Sequence, residues 1–236
     1  MRRRLSDLRH PGRSGADREV IWQAASVLLS YPDDPMLGRL PLVRAAASSL
    51  PRRDRQVVLA LVDDLAALEP MAAQTRYVET FDHKRRRTLY LTYWVAGDTR
   101  NRGQAILNVA QTYRASGAMP PSDELADHLT VVLEFAATVD PDAGYALLAG
   151  HVTPLSMLES ALREAGSVYA DLVGLVVSTL PAPGPDDLAR ARRLTMAGPP
   201  VEAVGLDPYP TPLPHGVARP APGPVPLTLE PTGGLR

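Results

Sequence analysis

The residues best suited to acid, base or ion-pair chemistry lie in one short segment, residues 124–128. Ser122 follows a break rich in Gly and Pro and predicts a helix N-cap. The first turn of that helix would carry Glu124, Asp127 and His128 on one face. Carboxylates near a helix N-terminus are stabilised by the helix dipole, which favours a capping role. The alternative is an acidic and histidine cluster that faces a groove.

The sequence gives little support for a metal site, a catalytic nucleophile or a nucleotide-binding motif. Asp82-His83, Asp127-His128 and His151 are potential ligands, but no two histidines have the spacing of ligands on one helix. The absence of cysteine excludes thiolate nucleophiles, iron–sulfur ligation, disulfides and cysteine-type zinc sites. No nucleophile elbow, P-loop or dinucleotide fingerprint is present. We therefore predict no enzyme, no metal site and no catalytic residue.

Two clusters of cations lie between the possible ligand pairs. Arg85 to Arg87 can bind a phosphate or pterin nucleotide, since guanidinium groups match phosphate oxygens, but a solvated loop or helix start is the preferred interpretation. Arg100 and Arg102 follow beside an apolar seam. We expect these two to pair with Asp82 or Glu124 and to form one wall of a groove.

The composition favours an all-α scaffold for these residues. Hydrophobic residues make up 45% of the 236, aromatic residues only 5%, and Ala and Leu are abundant. Such a chain builds an aliphatic core from closely packed helices rather than an aromatic-rich sheet. The net charge of −1 provides no field to attract nucleic acid, so we predict no nucleic-acid partner.

Apolar periodicity, together with Pro and Gly breaks, predicts a single bundle of about eight or nine helices. Segment 88–95 alternates like a strand, but no other segment alternates as its partner, so a buried helix is the preferred interpretation. The apolar repeat over 155–176 fits a coiled coil or, preferably, one long core helix. The predicted helices cover residues 18–30, 35–49, 51–68, 69–81, 88–95, a segment beginning near 99 behind an Asp98 cap, a segment beginning at 122, 141–150 and 153–180.

Three regions differ in composition. Residues 1–15 form a basic arm that we expect to be flexible, residues 16–182 the helical domain, and residues 183–236 a mostly disordered tail. Fourteen of the 24 prolines lie in residues 181–236. The chain shows neither a signal peptide nor an apolar run long enough to span a bilayer, so we predict a cytoplasmic protein without direct membrane insertion.

The central segment of the chain resembles a known family. Its motifs are Tyr77, Val78, Phe81, Asp82, Thr88-Leu89 and Gly97-Asp98-x-Arg100-x-Arg102-Gly103-Gln104-Ala105, joined by LLSYPDD near residue 30 and E-x-x-D-H at 124–128. They resemble the NarJ-type nitrate reductase molybdenum cofactor assembly chaperones, a branch of the redox-enzyme maturation chaperones related to TorD and DmsD. The resemblance covers about residues 20–180 and is strongest over 77–135. Ala126 departs from it, because a proline commonly occurs near this motif.

The resemblance implies a cytoplasmic chaperone for the nitrate reductase alpha subunit. It would bind the N-terminal peptide of that subunit and keep the apoenzyme competent for molybdenum cofactor insertion before membrane assembly. It would hold no cofactor permanently. It would interact with molybdenum cofactor biosynthesis proteins, and it would be a monomer or weak dimer. The residues expected to contact the peptide are Tyr77, Phe81, Asp82, Arg100, Arg102, Glu124, Asp127 and His128. Simple core packing is the competing interpretation for the two aromatic residues.

Two other functions fit the same sequence. One is a carrier that binds a molybdopterin nucleotide through Arg85 to Arg87 and Arg102. The other is a helical adaptor for a different client oxidoreductase. A peptide from the reductase N-terminus would distinguish the chaperone from the carrier.

Overall fold

Helices provide nearly all the regular structure in the computed structural model, which describes residues 13–97 and 100–182 together with positions 184, 189 and 194. Within those residues nine helices have eight or more residues and two have four, so the predicted all-α bundle is confirmed. The helices are α1 (Gly15–Leu28), α2 (Asp34–Leu37), α3 (Leu40–Ala47), α4 (Arg52–Ala66), α5 (Pro70–Phe81), α6 (Tyr93–Ala96), α7 (Arg100–Ala115), α8 (Leu129–Thr138), α9 (Pro141–Gly150), α10 (Val152–Glu164) and α11 (Ala170–Val177).

The centre of the bundle is the pair α1 and α8, which pack along each other. α9 covers the other side of α8, while α3, α4 and α11 pack around α1. The interior is mainly aliphatic, as the composition predicted: Leu28, Leu65, Leu133 and Leu155 are completely buried. Within the described residues, no helix combines the length and apolar character needed to cross a bilayer.

α1 begins at Gly15, three residues before the predicted start at Arg18. Ser14 is its N-cap and forms a capping box with Asp17, since each side chain binds the backbone N–H of the other residue. Just before the cap, Arg13 donates two hydrogen bonds to Asp54 of α4, at 2.7 and 2.8 Å. The start of α1 is therefore fixed to α4. Residues 1–12 and most of the predicted tail lie outside the described residues.

The prediction of a buried helix over 88–95 is wrong for residues 88–92. Residues 88–90 are extended, residues 91–92 form a turn that leads into α6, and Tyr90 forms an isolated antiparallel β-bridge with His128. The Leu91 N–H donates to the Asp127 carbonyl at 3.0 Å, and the Leu129 N–H donates to the Leu89 carbonyl at 2.8 Å. The alternation in the sequence therefore did indicate extended backbone at Tyr90. The segment that pairs with it, residues 127–129, has no alternating pattern of its own. We call this pairing of 89–91 with 127–129 the clasp.

The predicted helix start at Ser122 is also wrong. Residues 121–127 form bends and turns, and α8 begins only at Leu129, with His128 at the cap position. The backbone of Asp127 and His128 is not helical here, because the Asp127 carbonyl and the bridge at His128 belong to the clasp. Glu124, Asp127 and His128 consequently do not share a helical turn.

The single helix predicted over 153–180 is two helices, α10 and α11. The chain turns at Gly166, whose φ of 63° lies in the left-handed region that glycine adopts without strain. The apolar repeat continues across the turn, because Leu162 and Tyr169 are both completely buried on opposite sides of it. The predicted Asp98 cap of α7 lies outside the described residues.

Candidate functional site

An open cleft of about 670 Å³ lies where the ends of several elements meet. Ser30 and Tyr31, which follow α1, and the end of α5 form one side, and the clasp with the start of α8 forms the other. We call it the acidic cleft. Its lining includes Tyr31, Tyr77, Phe81, Asp82, Thr88, Tyr90, Asp123, Glu124, His128, Thr130, Val131, Glu134 and Thr138.

Aromatic rings form the floor of the acidic cleft. Tyr77 is 7% exposed, and its hydroxyl donates to the Leu29 carbonyl at 3.0 Å. Its ring packs on Phe81, with 4.9 Å between the centroids, and Tyr31 meets it edge-on at 5.5 Å. Burial raises the pKa of the Tyr77 phenol well above its usual range. Tyr77 and Phe81 are therefore core residues with an edge in the cleft, while Tyr31, 46% exposed, stands at its mouth.

Four carboxylates line the rim of the acidic cleft: Asp82, Asp123, Glu124 and Glu134. None of the described residues that line it is Lys or Arg. Glu124 Oε1 accepts a hydrogen bond from the Tyr90 hydroxyl at 3.2 Å. Burial, and next the charge of Glu124, raises the pKa of Tyr90. The negative field in the cleft favours a cationic ligand.

His128 closes one end of the cleft and is 9% exposed. Its Nδ1 lies 2.6 Å from Thr130 Oγ1, and its ring meets the Tyr90 ring edge-on with 5.1 Å between centroids. Burial lowers the pKa of the imidazole, and the nearby carboxylates of Glu124, Asp127 and Asp82 only partly oppose that shift. The imidazole is therefore neutral at pH 7 and presents a polar ring edge rather than a charge.

Asp127 does not line the acidic cleft. It is completely buried, and its Oδ2 accepts hydrogen bonds from the Thr92 hydroxyl at 2.6 Å and the Thr92 backbone N–H at 3.1 Å. Both bonds cross the clasp. Asp127 thus positions Tyr90 and His128, the two residues of the clasp that do face the cleft.

The predicted cationic residues occupy a neighbouring, smaller cleft of about 290 Å³. Arg85 and Arg102 line it together with Asp82. The guanidinium carbon of Arg102 lies 5.3 Å from the Tyr90 ring centroid and 5.7 Å from that of Tyr93, within cation–π range. The side chain of Arg100 lies outside the described residues.

Five of the predicted contact residues thus meet at one cleft: Tyr77, Phe81, Asp82, Glu124 and His128. The sequence analysis missed Tyr90 and Glu134. Tyr90 had a usable signal, since its alternation with buried Leu89 and Leu91 places its ring on the opposite face. Among the residues that can be described, no group of three acidic or histidine side chains forms a possible metal site.

Comparison with known proteins identifies the family of this chain. The family model described as "Nitrate reductase delta subunit" matches residues 48–173, more than half of the 236. The chain belongs to this family. The nitrate reductase delta subunit match covers α4 to α10 and the first half of α11, and so includes both sides of the clasp.

Named relatives agree with that assignment. The chain is 33% identical to the "Probable nitrate reductase molybdenum cofactor assembly chaperone NarJ" of Bacillus subtilis strain 168 over 165 residues, which covers 70% of this chain and 90% of the relative. It is 32% identical to the corresponding Escherichia coli K12 chaperone NarJ, covering 64% of this chain and 66% of that one. The resemblance to NarJ-type proteins is confirmed.

A longer relative and a solved structure complete the comparison. The chain is 49% identical over 166 residues to the "Nitrate reductase-like protein NarX" of Mycobacterium tuberculosis H37Rv, which covers 70% of this chain but spans only 25% of NarX. A crystal structure from Archaeoglobus fulgidus, assigned as a redox enzyme maturation protein, shares the fold, with a TM-score of 0.50 and 22% identity. That match covers 72% of this chain and 95% of the other.

Proposed function

We propose that this protein is a maturation chaperone that binds the N-terminal segment of the nitrate reductase alpha subunit in the acidic cleft. It keeps the apoenzyme competent for molybdenum cofactor insertion before assembly at the membrane. The observation that carries the proposal is the cleft itself, with four carboxylates on its rim and no Lys or Arg among the described residues that line it. The NarJ relatives, named as cofactor assembly chaperones of nitrate reductase, supply the client.

The chemistry of the cleft defines the kind of peptide that fits. Aromatic edges from Tyr31, Tyr77 and Phe81 accept apolar anchors, while Asp82 and Glu124 attract Lys or Arg. Grooves that combine apolar pockets with charged rims bind amphipathic segments of other chains. A volume of about 670 Å³ suits several side chains of one bound segment.

The proposed role is binding without a covalent step. Molybdenum cofactor is cargo for the client, and this chain assists its insertion without holding it permanently. The partners are the alpha subunit and the proteins that supply the cofactor. The cytoplasm is the proposed location, since the client must be bound before it docks at the membrane.

A titration tests the proposal. Calorimetry with a peptide copied from the reductase N-terminus should give saturable binding that weakens as salt is added, because charged contacts at an exposed rim are screened. Asp82→Asn and Glu124→Gln should each weaken it. Glu164→Gln is a matched control, since Glu164 is an exposed carboxylate on α10, outside the cleft. The absence of heat and of any shift in melting temperature would overturn the proposal.

A nucleotide carrier is the second candidate, favoured by one observation. Arg85 and Arg102 line the 290 Å³ cleft and can bind phosphate oxygens. Asp82 lies in the same cleft and repels an anion, so the chaperone is the better supported function. Stoichiometric binding of a molybdopterin nucleotide, without peptide binding, would reverse that order. Binding of a leader from a sister oxidoreductase in place of the nitrate reductase leader would indicate the adaptor.

A further inference from the structure

The acidic cleft adjoins the smaller cleft of about 290 Å³, which we call the basic cleft because Arg85 and Arg102 line it. Phe81, Asp82, Thr88 and Tyr90 line both clefts. The two are therefore neighbouring parts of one surface, with these four side chains as their common boundary. A ligand that fills the acidic cleft as far as this boundary also reaches the edge of the basic cleft.

Tyr90 lies between two opposite charges at the boundary. Its hydroxyl donates to Glu124 Oε1 at 3.2 Å, and Glu124 lines the acidic cleft alone. The guanidinium carbon of Arg102, which lines the basic cleft alone, lies 5.3 Å from the centroid of the Tyr90 ring. The backbone of Tyr90 is fixed by its β-bridge to His128 in the clasp. A fixed anion and a fixed cation are thus separated by one aromatic side chain.

The basic cleft is suited to a carboxylate. Among the described residues that line it, Arg85 and Arg102 are the cations and Asp82 is the one acid, so positive charge is in excess. Arg85 is exposed, which leaves its guanidinium open to a ligand. Guanidinium groups bind carboxylates through two parallel N–H donors. One acidic side chain of a bound peptide would satisfy this cleft.

We propose that the client segment held in the acidic cleft also places one of its own acidic side chains, an Asp or a Glu, in the basic cleft against Arg85 and Arg102. This inference rests on the proposed function and specifies the sequence of the segment. Residues on one face lie three or four positions apart in a helix and two apart in a strand. The acidic residue should therefore lie within about four positions of a Lys or Arg.

Asp82 explains why a peptide carboxylate fits this cleft better than a free anion. Asp82 lines both clefts, so it opposes a lone anion in the basic cleft but attracts a cation in the acidic cleft. A segment with both charges neutralises Asp82 with its own Lys or Arg. Its carboxylate, tethered to the bound segment, also has an effective concentration on the order of millimolar. A nucleotide brings no such cation.

The sign of one substitution tests the inference, measured by calorimetry on the full chain with the reductase leader peptide. If the acidic cleft alone binds this basic peptide, Arg85→Gln removes a repelling charge and should strengthen binding. If the basic cleft holds a carboxylate, Arg85→Gln should weaken binding, roughly twofold to fivefold in Kd. Lys84→Gln is the matched control, because Lys84 is an exposed neighbouring cation that lines neither cleft. It should not weaken binding.

A second peptide identifies the group that Arg85 contacts. In this peptide the acidic residue nearest to a Lys or Arg is replaced by its amide, Asp by Asn or Glu by Gln. It should bind the unsubstituted chain more weakly than the original leader, and Arg85→Gln should cause no further loss. Independent, additive losses would show that Arg85 does not contact that carboxylate. A leader without an acidic residue within four positions of a Lys or Arg would also contradict the inference.

The remaining outcomes separate this inference from the proposed function. If the leader binds the unsubstituted chain and Arg85→Gln leaves the Kd unchanged or lowers it, the inference fails and the proposed function stands. If the leader does not bind at all, both fail. Stoichiometric binding of inorganic phosphate that is lost in Arg85→Gln would assign the basic cleft to phosphate and overturn the inference. Because Arg85 is exposed, the variant should keep its melting temperature, which confirms that a change in Kd reports binding.

Discussion

Two cavities of similar volume, about 670 and 630 Å³, lie against α8 and share Glu134 and Thr138, yet their linings differ. Aromatic edges and four carboxylates line the acidic cleft, whereas mostly aliphatic side chains line the second cavity, the apolar groove between α1, α3 and α8. The volume of a cavity therefore does not indicate what it binds, whereas the side chains that line it do. The side chains of the acidic cleft come largely from segments without helical structure, and those of the apolar groove come from helix faces.

The acidic cleft depends on segments without helical structure. Residues 88–92 and 121–128 bring Tyr90, Glu124 and His128 to it, and the clasp holds both segments in place. The apolar groove needs nothing of this kind, because the faces of α1, α3 and α8 form it directly. Damage to the clasp should therefore affect the cleft far more than the groove.

The largest expected effect is on Asp127. Asp127→Ala removes the acceptor for the Thr92 hydroxyl and N–H and leaves both buried without that partner. We expect a loss of about 2–4 kcal/mol in the free energy of unfolding, measured with denaturant. Asp123→Ala is the control, since Asp123 is an exposed acid on the same segment. Equal stability of the two variants would show that the clasp does not need the carboxylate.

A substitution behind α8 should disturb both cavities together. In Gly144→Ala the new Cβ would lie 2.3 Å from Cα and Cβ of Ala136, so α9 must move away from α8. We expect destabilisation of about 1–3 kcal/mol, measured by thermal or chemical unfolding.

Gly103→Ala provides the comparison for this change. It lies in α7 with no atom within 4 Å of the added Cβ, so it should be neutral or stabilise by up to about 1 kcal/mol. A stable Gly144→Ala protein would mean that α8 and α9 separate at little cost.

Charge on the cleft rim should change binding with little effect on folding. The double variant Asp82→Asn and Glu124→Gln should lose about 1–2 kcal/mol of affinity for the basic leader peptide, roughly five- to thirtyfold in Kd at low salt. The measurement is calorimetry at two salt concentrations. Glu19→Gln neutralises a carboxylate of the apolar groove instead and should leave peptide affinity within about twofold, provided the two cavities act separately.

The smallest effect concerns pH. Burial sets the pKa of His128 in the folded protein below its ordinary value of 6.5, so the unfolded chain binds a proton more readily. Stability should therefore be fully present above pH 6.5 and fall as the pH drops through that value towards the folded pKa. His128→Gln should have a shallower decline in unfolding free energy over this range. Parallel curves for the two proteins would place the acid sensitivity elsewhere.

The sequence predicted the parts of the molecule that local pattern controls. The α4 and α5 boundaries follow from Pro51 and Pro70 and from regular apolar spacing, and Tyr77 and Phe81 share one face of α5 because they are four residues apart. The clasp could not be predicted in this way, since it depends on contact between segments that are distant in the chain. Glu124 and His128 both line the acidic cleft, although the residues that hold them there are not helical as predicted.

The position at which one helix ends and the next begins was the other feature that the sequence did not predict. Gly166 ends α10, but the apolar spacing continues across it, because both α10 and α11 turn apolar faces to the same interior. Periodicity reports which residues are buried and does not report whether one helix or two bury them.

The clasp also determines when the acidic cleft can exist during synthesis. Tyr31, Tyr77 and His128 reach the cleft from widely separated parts of the chain, and Leu129 must pair with Leu89 before the far wall closes. A nascent chain that has not yet extended past α8 therefore has no competent site. Under the proposed function, a copy truncated before α8 should therefore bind no leader peptide.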